Sequence, residues 1–223
     1  MEDCVIQTNS IHKIYKTGGL DTHALKGVSL KINKGEFVII TGRNGSGKST
    51  LMHQLALLDK PDKGQVIINN QDTSRMGEVQ KTKLRLLNLG YIFQEYALIA
   101  ELTALENVIL PAMMHESGRL AKKRAIGLLK KVGLAGKYNR LPPQLSGGEQ
   151  QKVAIARSLI NSPSIIFADE PTANLDTVAS KDIMEIFKTL NQRDNITIVM
   201  VTHEPEELAY ATRHITVSDG RLK

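Results

Sequence analysis

With 223 residues, 41% hydrophobic and 23% charged, the chain is long enough for one large domain of ordinary globular composition. Its net charge of +6 suits polyphosphate, nucleic acid or an anionic surface, but the basic residues are dispersed and not interleaved with aromatics, so nucleic acid is not expected. No apolar run approaches the roughly 18 residues that span a bilayer, the opening MEDCVIQTNS is acidic where a secretory signal is basic, and a lone Cys4 excludes an internal disulfide.

In chain order, Val5, Ile6, Ile11 and Ile14, then Val28, Leu30 and Ile32, alternate as antiparallel strands do. Strands are expected at Phe37–Thr41, Val66–Ile68, Tyr91–Phe93, Ser164–Ala168, Ile196–Thr202 and Ile215–Ser218. Apolar β-branched runs with helical segments between them indicate an α/β domain. From about Leu98 to Ile160 the texture is helical. Ala125, Leu128, Leu129 and Val132 form a one-faced stripe, which Gly133, Gly136 and Pro142-Pro143 then break. Ile183, Ile186, Phe187 and Leu190 form a second stripe. One domain over 1–223 is expected: an α/β core with an antiparallel β sub-domain (about 1–96 and 161–223) and an inserted helical sub-domain (about 97–160).

The strand at 37–41 runs straight into Gly42-Arg43-Asn44-Gly45-Ser46-Gly47-Lys48-Ser49-Thr50 and a helix. That is G-x-x-x-x-G-K-S in its strand–loop–helix context. Glycines turn backbone N–H groups inward, and the helix N-terminus adds positive potential for an anion. Lys48 is placed for the β- and γ-phosphates of ATP and the Ser49 hydroxyl for Mg²⁺.

A second apolar strand ends in Asp169-Glu170. A buried pair of carboxylates is costly without a cation. Asp169 fits a Mg²⁺ ligand, and Glu170 a base that orients or deprotonates water. Alone, such acids equally cap a loop; the phosphate loop decides for catalysis. Leu145-Ser146-Gly147-Gly148-Glu149 then opens another helix. It reads as an anion cradle and as a capping box of Ser146 with Glu149, and the two are compatible. One nucleotide does not need two cradles from one chain, which points to a second subunit's nucleotide.

LSGGEQQ, at 145–151, resembles the signature of ATP-binding-cassette (ABC) ATPases, and the resemblance covers essentially the whole chain. It implies a RecA-like P-loop core and ATP hydrolysis with Mg²⁺. By the same resemblance Tyr15 is the aromatic residue that stacks on adenine. Gln94 is the Q-loop glutamine that touches Mg²⁺ and the attacking water, Asp176 belongs to the D-loop, and His203 is the switch histidine at the γ-phosphate. The family works as a dimer with two ATP molecules sandwiched between cassettes, each between one phosphate loop and the partner's signature. Ala24-Leu-Lys-Gly-Val-Ser, Leu57-Leu-Asp-Lys-Pro and Leu102-Thr-Ala-Leu-Glu-Asn-Val are similar to the macrolide-export and lipoprotein-release branch.

That likeness implies a separate integral-membrane permease and a cassette peripheral on the cytoplasmic face. The work implied is outward movement of lipoproteins, peptides or amphipathic drugs. ATP-driven regulation of cell-wall enzymes, or a soluble cassette without transport, are the alternatives. Tyr96, Leu98, Ile99 and Leu102 are candidates for a permease groove or, equally, for internal packing. Arg43, Lys152 and Asn174 depart from the commonest family residues, and none of these changes removes a reacting group.

Overall fold

The computed structural model describes residues 3–17 and 20–223. Strands β1 (Cys4–Thr17) and β2 (Leu20–Asn33) form a long antiparallel ribbon. With β4 (Lys63–Ile68) and β5 (Gln71–Asp72) they make a four-stranded sheet of order β2-β1-β4-β5. The second sheet holds β3 (Phe37–Thr41), β6 (Leu89–Ile92), β7 (Ile165–Asp169), β8 (Thr197–Val201), β9 (Arg213–Ser218) and β10 (Arg221–Leu222). Its order is β10-β9-β3-β8-β7-β6, parallel except for β10.

The central strands of this sheet are buried on both faces, which is why they read as unbroken apolar runs. Phe37, Ile39, Ile166, Ala168, Ile198 and Met200 face one core, filled by helices α3 (Ala104–Ile109), α4 (Gly118–Lys131), α5 (Gly147–Leu159) and α6 (Thr177–Asp194). Their neighbours Val38, Ile40, Ile165, Phe167, Val199 and Val201 face the other core, closed by α1 (Lys48–Leu55) and the antiparallel sheet. A period of two thus distributes each strand between two apolar layers. Of the two expected stripes, Ala125, Leu129, Val132, Ile183, Phe187 and Leu190 are buried, while Leu128 and Ile186 are half-buried at the edge of the same core.

Two features differ from the sequence expectation. The helical texture begins at Ala104 rather than Leu98, because Tyr96 and Ala97 adopt left-handed backbone (φ 60° and 50°) and turn the chain first. Helix α2 (Glu78–Asn88) was not expected. Among its residues only Leu84 is buried, so its apolar face is narrow and mostly at the surface.

Candidate active site

Parallel register gathers the motifs. Ile40 and Asp169 both pair with Val201, and Ala168 pairs with Ile92. Gly42, Gln94, Glu170 and His203 each follow one of these four strand ends within two residues. They therefore converge outside the carboxyl edge of the sheet, where open α/β folds bind ligands.

The phosphate loop is held open by backbone that only glycine tolerates. A Cβ on Gly42 (φ 149°) would overlap the Val217 carbonyl oxygen, and one on Gly47 (φ 105°) would lie 2.5 Å from that of Ala24. Lys48 folds back over the loop and donates to the Gly42 and Arg43 carbonyls, both at 3.0 Å. Burial pushes its ammonium pKa down, while Glu170 and Asp169 oppose this by attraction. The buried Ser46 hydroxyl has no hydrogen-bond partner among the described residues, as suits a cradle that closes around an oxyanion. Thr50, on α1 next to Ser49, lies beside Tyr15.

Burial raises the pKa of the Asp169 carboxyl, with Glu170 adding to the effect and His53 opposing it. The Tyr91 hydroxyl is 3.5 Å from Asp169 Oδ2, and burial keeps that phenol protonated. Glu170 sits in left-handed backbone (φ 43°), a conformation that costs a non-glycine residue about 1–3 kcal/mol. Two backbone bonds hold it there: its N–H donates to Val201 and its carbonyl accepts from Ala173, at 3.0 and 3.2 Å. The Glu170 carboxylate meets His203 Nε2 at 2.9 Å. Asp169, Glu170, His203 and Lys48 thus form one polar cluster beside the phosphate loop.

Tyr15 stands at the rim, 39% exposed, its hydroxyl 3.1 Å from Asp59 and Lys13 over its ring at 5.2 Å. Gln94 is exposed, and its carbonyl accepts from Asn174 at 3.3 Å, which ties the segment after β6 to the one after β7. Asp176 caps α6 through Ala179 N–H at 2.8 Å.

Arg157, which sequence reasoning did not single out, clamps the strained turn after Gln94. Its guanidinium donates to the Ala97 and Tyr96 carbonyls at 2.6 and 2.8 Å. Arg157→Ala would leave both carbonyls without this donor; bonds to a charged group contribute about 1.5–3 kcal/mol each. Because the bond to Ala97 is exposed and screened by water, a loss of about 2–4 kcal/mol is expected, read as a lowered denaturant midpoint at unchanged slope. Lysine would not restore it, since one ammonium does not reproduce the planar fork.

The second glycine-rich helix start abuts the segments after β6 and β7 through Tyr96 and Asn174. Among the described residues no hydrogen bond or ion pair joins Leu145–Glu149 to the phosphate loop. Ser146 caps α5, accepting from Glu149 N–H at 3.3 Å, and Glu149 returns a bond to Ser146 N–H at 3.1 Å. This is the expected capping box. Leu145 is buried; Gly147 packs under the Tyr96 hydroxyl and Leu175, and Gly148 packs against Ala179.

An apolar cleft of about 380 Å³ opens beside the turn at 96–97, lined by Leu58, Leu86, Phe93, Ala97, Pro111 and Met114. The suggested groove residues Tyr96, Leu98, Ile99 and Leu102 do not line it. Leu98 packs against the helical core, as the internal-packing alternative had it. The Tyr96 hydroxyl lies against Gly147 instead, and Ile99 remains exposed. Among the described residues no helix is long and apolar enough to cross a membrane.

Comparison with known proteins agrees with this architecture. The ABC transporter family profile matches residues 25–173. An uncharacterized ABC transporter ATP-binding protein of Methanocaldococcus jannaschii is 50% identical over 98% of this chain and 97% of its own length. The lipoprotein-releasing system ATP-binding protein LolD of Shewanella oneidensis is 40% identical over 100% and 97%. The macrolide export ATP-binding/permease protein MacB of Syntrophobacter fumaroxidans is 41% identical over 98% of this chain but only 31% of its own length. The structure also matches that of a dimeric ATP-binding cassette, MJ0796, bound to ADP and Pi. The TM-score is 0.90 at 43% identity, covering 98% of this chain and 96% of that one. The chain belongs to the ABC transporter ATP-binding family, and it has the ABC ATPase fold. More narrowly, it is an ATP-hydrolysing cassette of the MacB and LolD type.

Proposed function

We propose that the chain works as a pair of cassettes that close over two ATP molecules and drive a separate membrane permease. One observation carries the pairing: two glycine-rich helix starts exist in one chain, and among the described residues the one at Lys48 has the Asp169, Glu170 and His203 cluster beside it, while the one at Gly147 has no such cluster. The α5 start then serves the ATP held by the partner. The dimeric state of the similar solved cassettes supports this reading.

In the proposed site the loop Gly42–Thr50 wraps the phosphates and Tyr15 offers its ring to adenine. Lys48 leaves the Gly42 and Arg43 carbonyls for the β- and γ-phosphates. The residues fit Mg²⁺: Ser49, Asp169 and Gln94 are hard oxygen donors, suited to an ion that also takes substrate phosphates. When bound, that ion neutralises charge on the phosphates. Glu170 accepts a proton from water as it attacks the γ-phosphorus, and the bond to the β–γ bridging oxygen breaks to release ADP. His203, already on Glu170, fixes the carboxylate and is placed to donate to the γ-phosphate. Asp176, close to both the signature helix and Gln94's partner Asn174, is assigned to communication between the two sites.

The cleft at Phe93 and Met114 is the proposed seat of a cytoplasmic helix of the permease. It adjoins the turn after Gln94, so its occupant would bear on the hydrolytic site. The MacB relatives carry cassette and permease in one name, and the LolD relative belongs to a lipoprotein-releasing system. Export or extraction of lipoproteins, peptides or amphipathic drugs is therefore the proposed work, with the cassette on the cytoplasmic face of the membrane. Tagged chain recovered with Mg-ATP from detergent-solubilised native membranes should bring an integral-membrane protein with it. Phe93→Asp should lose that protein while keeping basal ATP turnover. Equal recovery by the variant, or recovery of soluble proteins alone, would contradict the assignment.

A further inference from the structure

The capping box that orders the signature places a carboxylate where the proposed pairing needs to receive a phosphate. Glu149 stands in the first turn of α5, one of its oxygens on Ser146 N–H. A negative charge there stabilises the helix in isolation, but it would repel the polyphosphate of a partner's ATP. The other oxygen of Glu149 is bonded to Lys137 Nζ, from the turn before Pro142-Pro143. That bond is the main cause holding the Glu149 carboxyl below the usual carboxylate range. The nearby Lys152 is engaged by Asp182, so Lys137 is the cation directly bonded to the signature carboxylate.

Lys137 is 45% exposed and Glu149 24%. Ion pairs so open to water add little to fold stability, so stability does not account for the pair. We propose that Lys137 is a positioning residue for the partner's ATP: by neutralising Glu149, it lets the signature keep its capping carboxylate and still accept a phosphate. The inference rests on the paired-cassette reading.

A double-mutant cycle on the whole chain tests it. Lys137→Ala should raise the ATP concentration for half-maximal turnover about tenfold at low salt. The effect should shrink toward twofold at high salt, because exposed charges are screened. The thermal midpoint should hardly move, and Lys137→Arg should behave as wild type. In a Glu149→Gln background, which keeps the capping box, Lys137→Ala should have no effect. An equal effect in both backgrounds, or none with Glu149 present, would overturn the proposal. If the wild-type chain never associates in ATP, the paired reading fails and takes this inference with it; ATP-driven association that survives alongside a flat cycle sinks only the role of Lys137.

Discussion

Glu170→Gln is expected to lower ATP turnover by about a thousandfold while leaving ATP binding intact, since a positioned general base contributes about 10²–10⁴. The amide has the shape of the carboxylate and retains a hydrogen bond to His203, now 2.9 Å away. The left-handed backbone at 170 is fixed by bonds of the main chain, which the substitution does not touch. Only proton acceptance is removed. ATP should then accumulate in closed pairs, visible as an ATP-dependent doubling of mass in size-exclusion chromatography. Turnover near the wild-type rate would assign the base elsewhere.

Lys48→Ala should act at an earlier step. Its ammonium is buried, destabilised by desolvation, and held by two loop carbonyls in the structure. Phosphate would replace those neutral acceptors with charged ones, and charge-assisted bonds are the stronger kind. At about 1.5–3 kcal/mol per bond to a charged group, one or two such bonds correspond to roughly 10²-fold in Kd. Calorimetric titration with ATP should show that weakening with the fold retained. Unchanged affinity would mean that the lysine serves the loop's own structure rather than the nucleotide.

The phosphate loop and the Asp169-Glu170 strand end were legible because each is a continuous string whose chemistry depends on neighbours in sequence. The central parallel strands were legible for a related reason: strands buried on both faces show as apolar runs. Arg157, Lys137 and Phe93 were not legible, because their neighbours in the structure are brought to them by folding. Arg157 holds residues 60 and 61 positions away. Lys137 reads as one more basic residue until α5 turns Glu149 toward it. The sequence left Leu98 open between a groove and internal packing, and only the fold shows it packed against the helical core. Helix α2 escaped notice because its apolar face is short, with Leu84 its one buried residue.

The measurement that bears most directly on the paired account is complementation between two inactive chains. One carries Lys48→Ala, with a disabled phosphate loop and an intact signature. The other carries Ser146→Asp, which remains a good helix cap but sets a carboxylate against the partner's phosphate. Each alone should hydrolyse ATP at a few per cent of the wild-type rate or less, on the order of the loss a single charged phosphate contact implies. Mixed, they form pairs with one wholly wild-type site, and turnover should return. Failure to recover activity on mixing, or full activity in the Ser146→Asp chain by itself, would show that each chain builds its site alone.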